Sequence, residues 1–280
     1  MAKAQCRLSI AQIDIALICG NVFLFDELNA RYAAFRGNAS PRLIMQIDYL
    51  KDEQHYNHVE KPVKFRNGSV CFDLPGYQGK ISLENGTGSL RFSSHHPVED
   101  IDYFLRVAVA EMAFKSGGMM LHAAGIARAS LAYLFFGHSG CGKTTVARLS
   151  REDVILNDDL VVLLPPHGFG GAWSVHATPF WNPTQVRPNQ GAAPLAGMFR
   201  LVQDKRVFLE KMSLGQAVAE LVSNVPVISG DPARSSVLLE RCLNLVYTAL
   251  PYRLHFLPDD SFWNVIGFNR TEKPGLTNVL

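Results

Sequence analysis

The sequence has few cysteines, and none of them are closely paired. Its five cysteines are odd in number and widely spaced, with no CxxC pair. This usage argues against a disulfide framework and against a zinc site of the usual spacing. It is typical of a protein kept in a reducing compartment, so we expect the protein to be cytoplasmic.

Excess charge and long apolar runs are also lacking. The formal net charge is only +2, which is too weak to indicate a nucleic acid or an anionic membrane surface as a partner. The most apolar stretch near the start spans residues 8–25. Gln12, Asp14 and Asn21 interrupt it, which argues against a membrane span or a signal segment. We therefore expect neither nucleic acid nor membrane as a partner.

No internal repeat or low-complexity tract is present. With 280 residues, 48% hydrophobic and 19% charged, the chain can bury a sizeable core, as one large domain or two small ones. A change of pattern near residue 98 predicts a strand-rich N-terminal domain, 1–98, and a second domain, 99–280. The polar segment 51–64 is interpreted as a surface loop. Strands are predicted at Leu43–Ile47, Val70–Phe72, Ile81–Leu83 and Ser89–Phe92.

The second part alternates strands and helices. Apolar spacing over Glu99–Phe114 predicts a helix that ends at the glycines 117 and 118. Two apolar strands should follow, joined by a tight turn at residues 128–130. Further elements are predicted at Lys143–Ser150 (helix), Val154–Leu156 and Leu160–Leu164 (strands), and from Ser213 and Ser235 (helices). This order predicts an α/β fold.

A P-loop pattern, G-x-x-x-x-G-K-[ST], lies between the second of these strands and the helix. Its glycines let backbone N–H groups turn towards phosphates, and the helix that follows presents its positive end to the same anion. Lys143 would neutralise the β- and γ-phosphates, and Thr144 would offer a hydroxyl to Mg²⁺. The alternative is an ordinary glycine-rich turn. The predicted nucleotide-binding residues are Gly137, His138, Ser139, Gly140, Cys141, Gly142, Lys143, Thr144 and Thr145.

Two adjacent carboxylates, Asp158 and Asp159, follow a predicted strand. Ligands in α/β sheets bind at such strand ends. One carboxylate could hold Mg²⁺ while the other accepts a proton from an attacking hydroxyl. The alternative is a turn built from Asn-Asp-Asp. His122, in an apolar strand, is by itself more typical of a core histidine than of a catalytic one.

The order of three motifs resembles the catalytic domain of HPr kinase/phosphorylase, which shares its nucleotide-binding core with phosphoenolpyruvate carboxykinase. The motifs are Leu121–Gly125 (LHAAG), Phe136–Thr145 (FGHSGCGKTT) and Leu156–Asp159 (LNDD). Looser similarity over residues 176–181, 194–199 and 252–256 is to HPr-kinase-like proteins of peptide-modification clusters. The resemblance implies a P-loop kinase core with a mixed central sheet.

The same resemblance implies roles for single residues. His122 would lie near the transferred phosphate, Lys143 would bind the β- and γ-phosphates, and Thr144 would ligate Mg²⁺. Of the two aspartates we favour Asp158 as the general base and Asp159 as the metal partner. Arg128, Arg187 and Arg200 are candidates for stabilising the transferring charge, and the sequence gives no reason to choose among them. Related kinases often assemble, so the resemblance also implies a homo-oligomer.

The sequence departs from the family at three places. The glycine-rich signature with an acidic residue is missing, because Pro165–Gly171 carries no carboxylate. The N-terminal part differs from that of the family, and Asn157 replaces a small residue. We therefore expect an ATP- and Mg²⁺-dependent kinase that phosphorylates a hydroxyl of a peptide, a protein or a small molecule. The alternatives are a nucleotide-binding regulatory or scaffold protein with little activity, and a carboxykinase-like enzyme acting on a small acid.

Overall fold

The computed structural model describes residues 4–50, 61–66, 68–166, 171–181, 185–228 and 232–268. Most of the predicted surface loop 51–64 lies outside these ranges, and so do residues 167–170 of the glycine-rich segment. The described residues form a mixed α/β fold. Its elements are β1 (Ala4–Ile10), β2 (Ile13–Cys19), α1 (Val22–Arg31), β3 (Leu43–Tyr49), β4 (Lys64–Arg66), β5 (Ser69–Leu74), β6 (Tyr77–Ser82), β7 (Thr87–Phe92), α2 (Pro97–Lys115), β8 (Met119–Arg128), β9 (Leu131–Phe136), α3 (Lys143–Leu149), β10 (Val154–Asn157), β11 (Leu160–Leu164), β12 (Ser174–His176), β13 (Ala192–Gln203), β14 (Phe208–Lys211), α4 (Leu214–Ser223), α5 (Pro232–Thr248), β15 (Tyr252–Phe256) and α6 (Phe262–Phe268).

The first sheet contains the seven strands before α2, in the order β1-β2-β3-β7-β6-β5-β4. Strand β3 pairs in parallel with β2 and β7, and the remaining neighbours are antiparallel. Alternation along β3, with Leu43, Met45 and Ile47 buried, gives the sheet one apolar face. The strands predicted from the sequence in this part are all present.

Helix α1 crosses between the parallel strands β2 and β3, and the sequence analysis did not predict it. Asn21 caps its start by accepting a hydrogen bond from the Leu24 N–H at 3.0 Å. Leu24 and Leu28, four residues apart, turn the same face into the core. The capping residue and this spacing were the available signals, but the apolar run before them favoured a strand.

Helix α2 is the predicted central helix, and thirteen of its nineteen residues are buried. It packs against α1 and β2 on one side and against β8 and β11 on the other. A continuous apolar core therefore runs from the first sheet through α2 to the second. Gly117, with φ +85°, ends the helix as predicted. No helix of the described residues is long and apolar enough to cross a membrane.

The second sheet contains the strands from β8 onwards. Strand β9 lies between β8, which is antiparallel to it, and β13, which is parallel. Strand β15 is parallel to β13 on the far side, and β14 forms the edge. The predicted tight turn between β8 and β9 is formed by Ala129 and Ser130, both with positive φ.

The three sequence motifs lie at one end of the second sheet, where its parallel strands have their carboxyl ends. Strands β9, β13 and β15 are parallel, and all three finish at this end of the sheet. Strand β8 runs in the opposite direction, so its first half lies at the same end of the sheet, with Ala123 opposite Phe136. Strand β10 ends at Asn157, close to this part of β8. The division into domains at residue 98 stays a prediction.

Candidate functional site

The loop that follows β9 is shaped by three glycines. Gly137, Gly140 and Gly142 have φ of +141°, +78° and +113°, a region that other residues rarely adopt. A Cβ at Gly142 would lie 2.5 Å from the Phe256 ring, so the loop packs directly on the end of β15. The side chain of Gln203, at the end of β13, donates a hydrogen bond to the Gly140 carbonyl at 2.9 Å. The ends of β13 and β15 therefore both contact the loop.

The remaining loop residues divide by exposure. His138, Ser139 and Gly140 are exposed at the tip. Lys143 is buried, and its ammonium donates to the carbonyl of Gly137 at 3.0 Å. The Cys141 side chain is also buried, whereas Thr144 and Thr145 are half-buried on the first turn of α3. The lysine is thus folded back along the loop, with its charge inside the curve.

Asp158 lies against Thr144. The Thr144 side chain hydrogen-bonds the carboxylate, and the Val186 N–H donates to its Oδ2 at 3.3 Å. Burial raises the pKa of Asp158, and these hydrogen bonds offset the rise only in part. Its other oxygen, Oδ1, is buried and has no hydrogen-bond partner among the described residues. A buried carboxylate oxygen without a partner is costly and suits a cation ligand.

Asp159 turns away from Thr144 and meets His122. Its Oδ1 lies 2.7 Å from His122 Nε2. The pairing follows from the strands, since Leu160 of β11 is opposite His122 of β8. Burial alone would raise the pKa of Asp159, but the hydrogen bond and charge of His122 outweigh it and lower the pKa. The side chain of Gln185 also hydrogen-bonds this carboxylate.

Asn157, the residue that departs from the family pattern, holds the surroundings of the aspartates together. Its Oδ1 accepts from the N–H groups of Asp159 at 2.7 Å and Leu160 at 2.9 Å. Its Nδ2 donates to the carbonyls of Thr178 at 3.0 Å and Phe180 at 2.9 Å. This fully buried amide fixes both the turn that carries the aspartates and the loop 177–181. The sequence Asn-Asp-Asp indicates the turn, but it does not indicate the contact of Asn157 with Thr178 and Phe180.

The arginines named from the sequence lie elsewhere or are already paired. Arg128 forms an ion pair with Asp153 at 3.2 Å, at the opposite end of β8 from His122. Arg200 pairs with Glu220 at 3.3 Å. Arg187 is exposed. An arginine that the sequence did not single out, Arg106 of α2, is the one whose charge acts on Asp159.

His176 is a core residue. It is buried in β12, and its Nε2 lies 2.9 Å from the hydroxyl of Ser174. Burial lowers the pKa of His176, so the neutral ring is favoured. The structure thus brings together Lys143, Thr144, Asp158, Asp159 and His122, and leaves His176 out.

The donor set around Asp158 fits a magnesium ion better than a caged metal. No group of three or more His, Cys, Asp or Glu side chains suited to a metal occurs in the described ranges. Thr144 and Asp158 instead supply two oxygen atoms at one place, one of them without a partner. Mg²⁺ is usually held in this way, through one or two protein oxygens together with phosphate oxygens and water.

Comparisons with known proteins add little to this geometry. No family model matches the chain, and a search of curated proteins finds no match. Among solved structures, the HPr(Ser) kinase/phosphatase from Coxiella burnetii matches with 10% identity, over 55% of this chain and 96% of that chain, at a TM-score of 0.26. Similarity at this level is too low to decide fold or function.

Proposed function

We propose that this protein is an ATP-dependent phosphotransferase that moves the γ-phosphate to a hydroxyl group. The observation that carries the proposal is the meeting of two pairs, Thr144 with Asp158 and His122 with Asp159, beside the loop that carries Lys143. Phosphoryl transfer needs phosphate binding, a metal ligand and a group that orients the acceptor hydroxyl. These five residues supply all three.

The two aspartates take different roles in this proposal. Asp158 shares a site with Thr144 and has a free oxygen, so we assign it to Mg²⁺ together with Thr144. Asp159 then faces the acceptor. This exchanges the roles that we favoured from the sequence, because Asp159, and not Asp158, pairs with His122. When bound, Mg²⁺ would neutralise charge on the β- and γ-phosphates.

The proposed reaction uses Asp159 as the proton acceptor. The acceptor hydroxyl would give its proton to Asp159 while its oxygen bonds to the γ-phosphorus. The bond from that phosphorus to the bridging oxygen breaks, and ADP leaves. His122 holds the carboxylate in place by the contact at 2.7 Å. The modest basicity of Asp159 suffices because phosphoryl transfer passes through a loose transition state and depends mainly on positioning.

A labelling experiment tests this function. Wild type, Asp159→Asn and Lys143→Ala are each incubated with γ-labelled Mg·ATP and fractions of a cell lysate, and nucleotide binding is measured by calorimetry. We expect label on an acceptor with wild type only, because Asp159→Asn removes the proton acceptor. It should still bind nucleotide, whereas Lys143→Ala should bind it at least about tenfold more weakly.

The control outcomes separate the alternatives. Nucleotide binding by wild type, without label on any fraction, would favour the regulatory or scaffold protein. Equal labelling by Asp159→Asn would contradict the role given to that residue. Absence of nucleotide binding by wild type would overturn the proposal as a whole.

A further inference from the structure

The guanidinium of Arg106 is a cation near the site whose hydrogen-bonding capacity is not used up. Its Nε is buried and has no hydrogen-bond partner among the described residues. The guanidinium carbon lies 5.7 Å from the centre of the Phe180 ring, and the Phe180 backbone carbonyl accepts a hydrogen bond from Asn157. Arg106 therefore lies over the loop 177–181, which Asn157 holds in place.

The two carboxylates that its charge acts on are both bound by other groups. Asp102, one helical turn earlier on α2, accepts hydrogen bonds from Arg31 and from the Tyr32 hydroxyl. Asp159 pairs with His122. A partly buried arginine normally has its charge matched and its buried donors satisfied, and here the neighbouring carboxylates are engaged elsewhere. An anionic ligand would supply the missing acceptor.

We infer that Arg106 is an anion-binding residue of this site, and that it binds the γ-phosphate of the nucleotide. The inference rests on the proposed function, since it requires the phosphates to lie between Lys143 and Asp159. The planar guanidinium can donate two parallel hydrogen bonds to phosphate oxygens. Placed on the acceptor side, it stabilises negative charge on the phosphoryl group as the bond to ADP breaks.

The position of Arg106 distinguishes it from the other arginines. Arg128 lies six residues beyond His122 along β8, a distance of roughly 20 Å at about 3.3 Å per residue. It is half-exposed and paired with Asp153. Arg128 is therefore a matched control, because its replacement removes one positive charge from the same protein without touching the site.

The test compares two nucleotides that differ in the γ-phosphate. Dissociation constants of the β,γ-imido analogue of ATP and of ADP, each with Mg²⁺, are measured by calorimetry for wild type, Arg106→Gln, Arg106→Lys and Arg128→Gln. We expect Arg106→Gln to weaken binding of the ATP analogue about ten- to hundredfold and that of ADP less than about twofold. Arg106→Lys should lose less affinity for the ATP analogue, because lysine keeps the positive charge but cannot donate two parallel hydrogen bonds from a planar group. Arg128→Gln should match wild type.

Two results would overturn the inference. If Arg106→Gln leaves the ratio of the two dissociation constants unchanged, Arg106 does not bind the γ-phosphate. The same follows if both nucleotides weaken equally. If Arg106→Gln does not fold, as judged by circular dichroism, the test uses Arg106→Lys instead. An unchanged ratio of the two dissociation constants in that variant would likewise overturn the inference. Failure of the proposed function has a different signature, which is that wild type binds neither nucleotide.

Discussion

The hydrogen atom that serves as the side chain of Gly142 leaves room for the ring of Phe256. The φ of +113° at Gly142 and the 2.5 Å approach of an added Cβ to Phe256 are two separate reasons for glycine at this position. At Gly140 only the first reason applies, since φ is +78° but nothing lies within 4 Å of an added Cβ. Comparing substitutions at these two glycines therefore distinguishes the effect of backbone strain from that of steric overlap.

Gly142→Ala should lower the free energy of unfolding by about 1–3 kcal/mol more than Gly140→Ala does, because overpacking against Phe256 adds to backbone strain. It should also weaken nucleotide binding, since the loop must shift away from β15. Urea denaturation and calorimetry measure the two effects. Adding Phe256→Leu to Gly142→Ala should recover part of the binding. Equal losses at the two glycines would show that the overlap does not matter.

At the scale of elements, the turn between β10 and β11 and the loop 177–181 form one unit. Both depend on the amide of Asn157, whose Oδ1 accepts two hydrogen bonds from the turn and whose Nδ2 donates to Thr178 and Phe180 of the loop. The aspartates lie on the turn, and Phe180 beneath Arg106 lies on the loop. The geometry of the site therefore depends on a side chain that touches no proposed ligand.

Asn157→Ala should cost about 3–5 kcal/mol of unfolding free energy, because it leaves buried N–H and carbonyl groups without partners. Labelling activity should fall with it. Asn157→Asp is the matched variant. It keeps the acceptor for the N–H groups of Asp159 and Leu160 but replaces the donor that holds Thr178 and Phe180. Labelling that survives in Asn157→Ala would contradict the role of this residue.

The sequence predicted the elements with strong local patterns. The helix α2, the turn at Ala129 and Ser130, and the strand-loop-helix around Gly137 to Lys143 were predicted because spacing, glycines and apolar runs act locally. The His122 and Asp159 contact was not predictable from either residue alone, since it arises from the register of β8 with β11. Arg106 was missed for the same reason. It precedes Asp159 by 53 positions, and only the packing of α2 places it near the site.

At the scale of the whole molecule, the core is continuous between the two sheets. Apolar residues of the first sheet, of α2 and of one face of the second sheet belong to one buried cluster, and the opposite face of the second sheet packs in a cluster of its own. Polar contacts follow the same route, since Tyr32 and Arg31 at the end of α1 hold Asp102 on α2, and Arg31 lies 5.0 Å from the centre of the Trp181 ring. Burial and the Asp102 charge raise the pKa of Tyr32, so its hydroxyl remains a donor.

This continuity predicts one unfolding transition. Tryptophan fluorescence reports only the second part, where Trp173, Trp181 and Trp263 lie, and far-UV circular dichroism reports both parts. The two signals should coincide in urea. Tyr32→Phe should shift both midpoints together, at a cost of about 1–3 kcal/mol, because buried Asp102 loses a donor. Two separate transitions, with only one of them shifted, would favour independent domains at the predicted boundary.

Helix α2 also limits how this protein could be recombined with others. Its Asp102 contacts Arg31 and Tyr32 of the N-terminal part, and its Arg106, one turn later, lies where its charge acts on Asp159. A chimaera joined near residue 98 would pair a foreign N-terminal part with an Asp102 whose partners were gone. A joint after α2, at the glycines 117 and 118, would in turn separate Glu111 of α2 from its partner Arg234 on α5, so neither part can be exchanged without breaking a paired group.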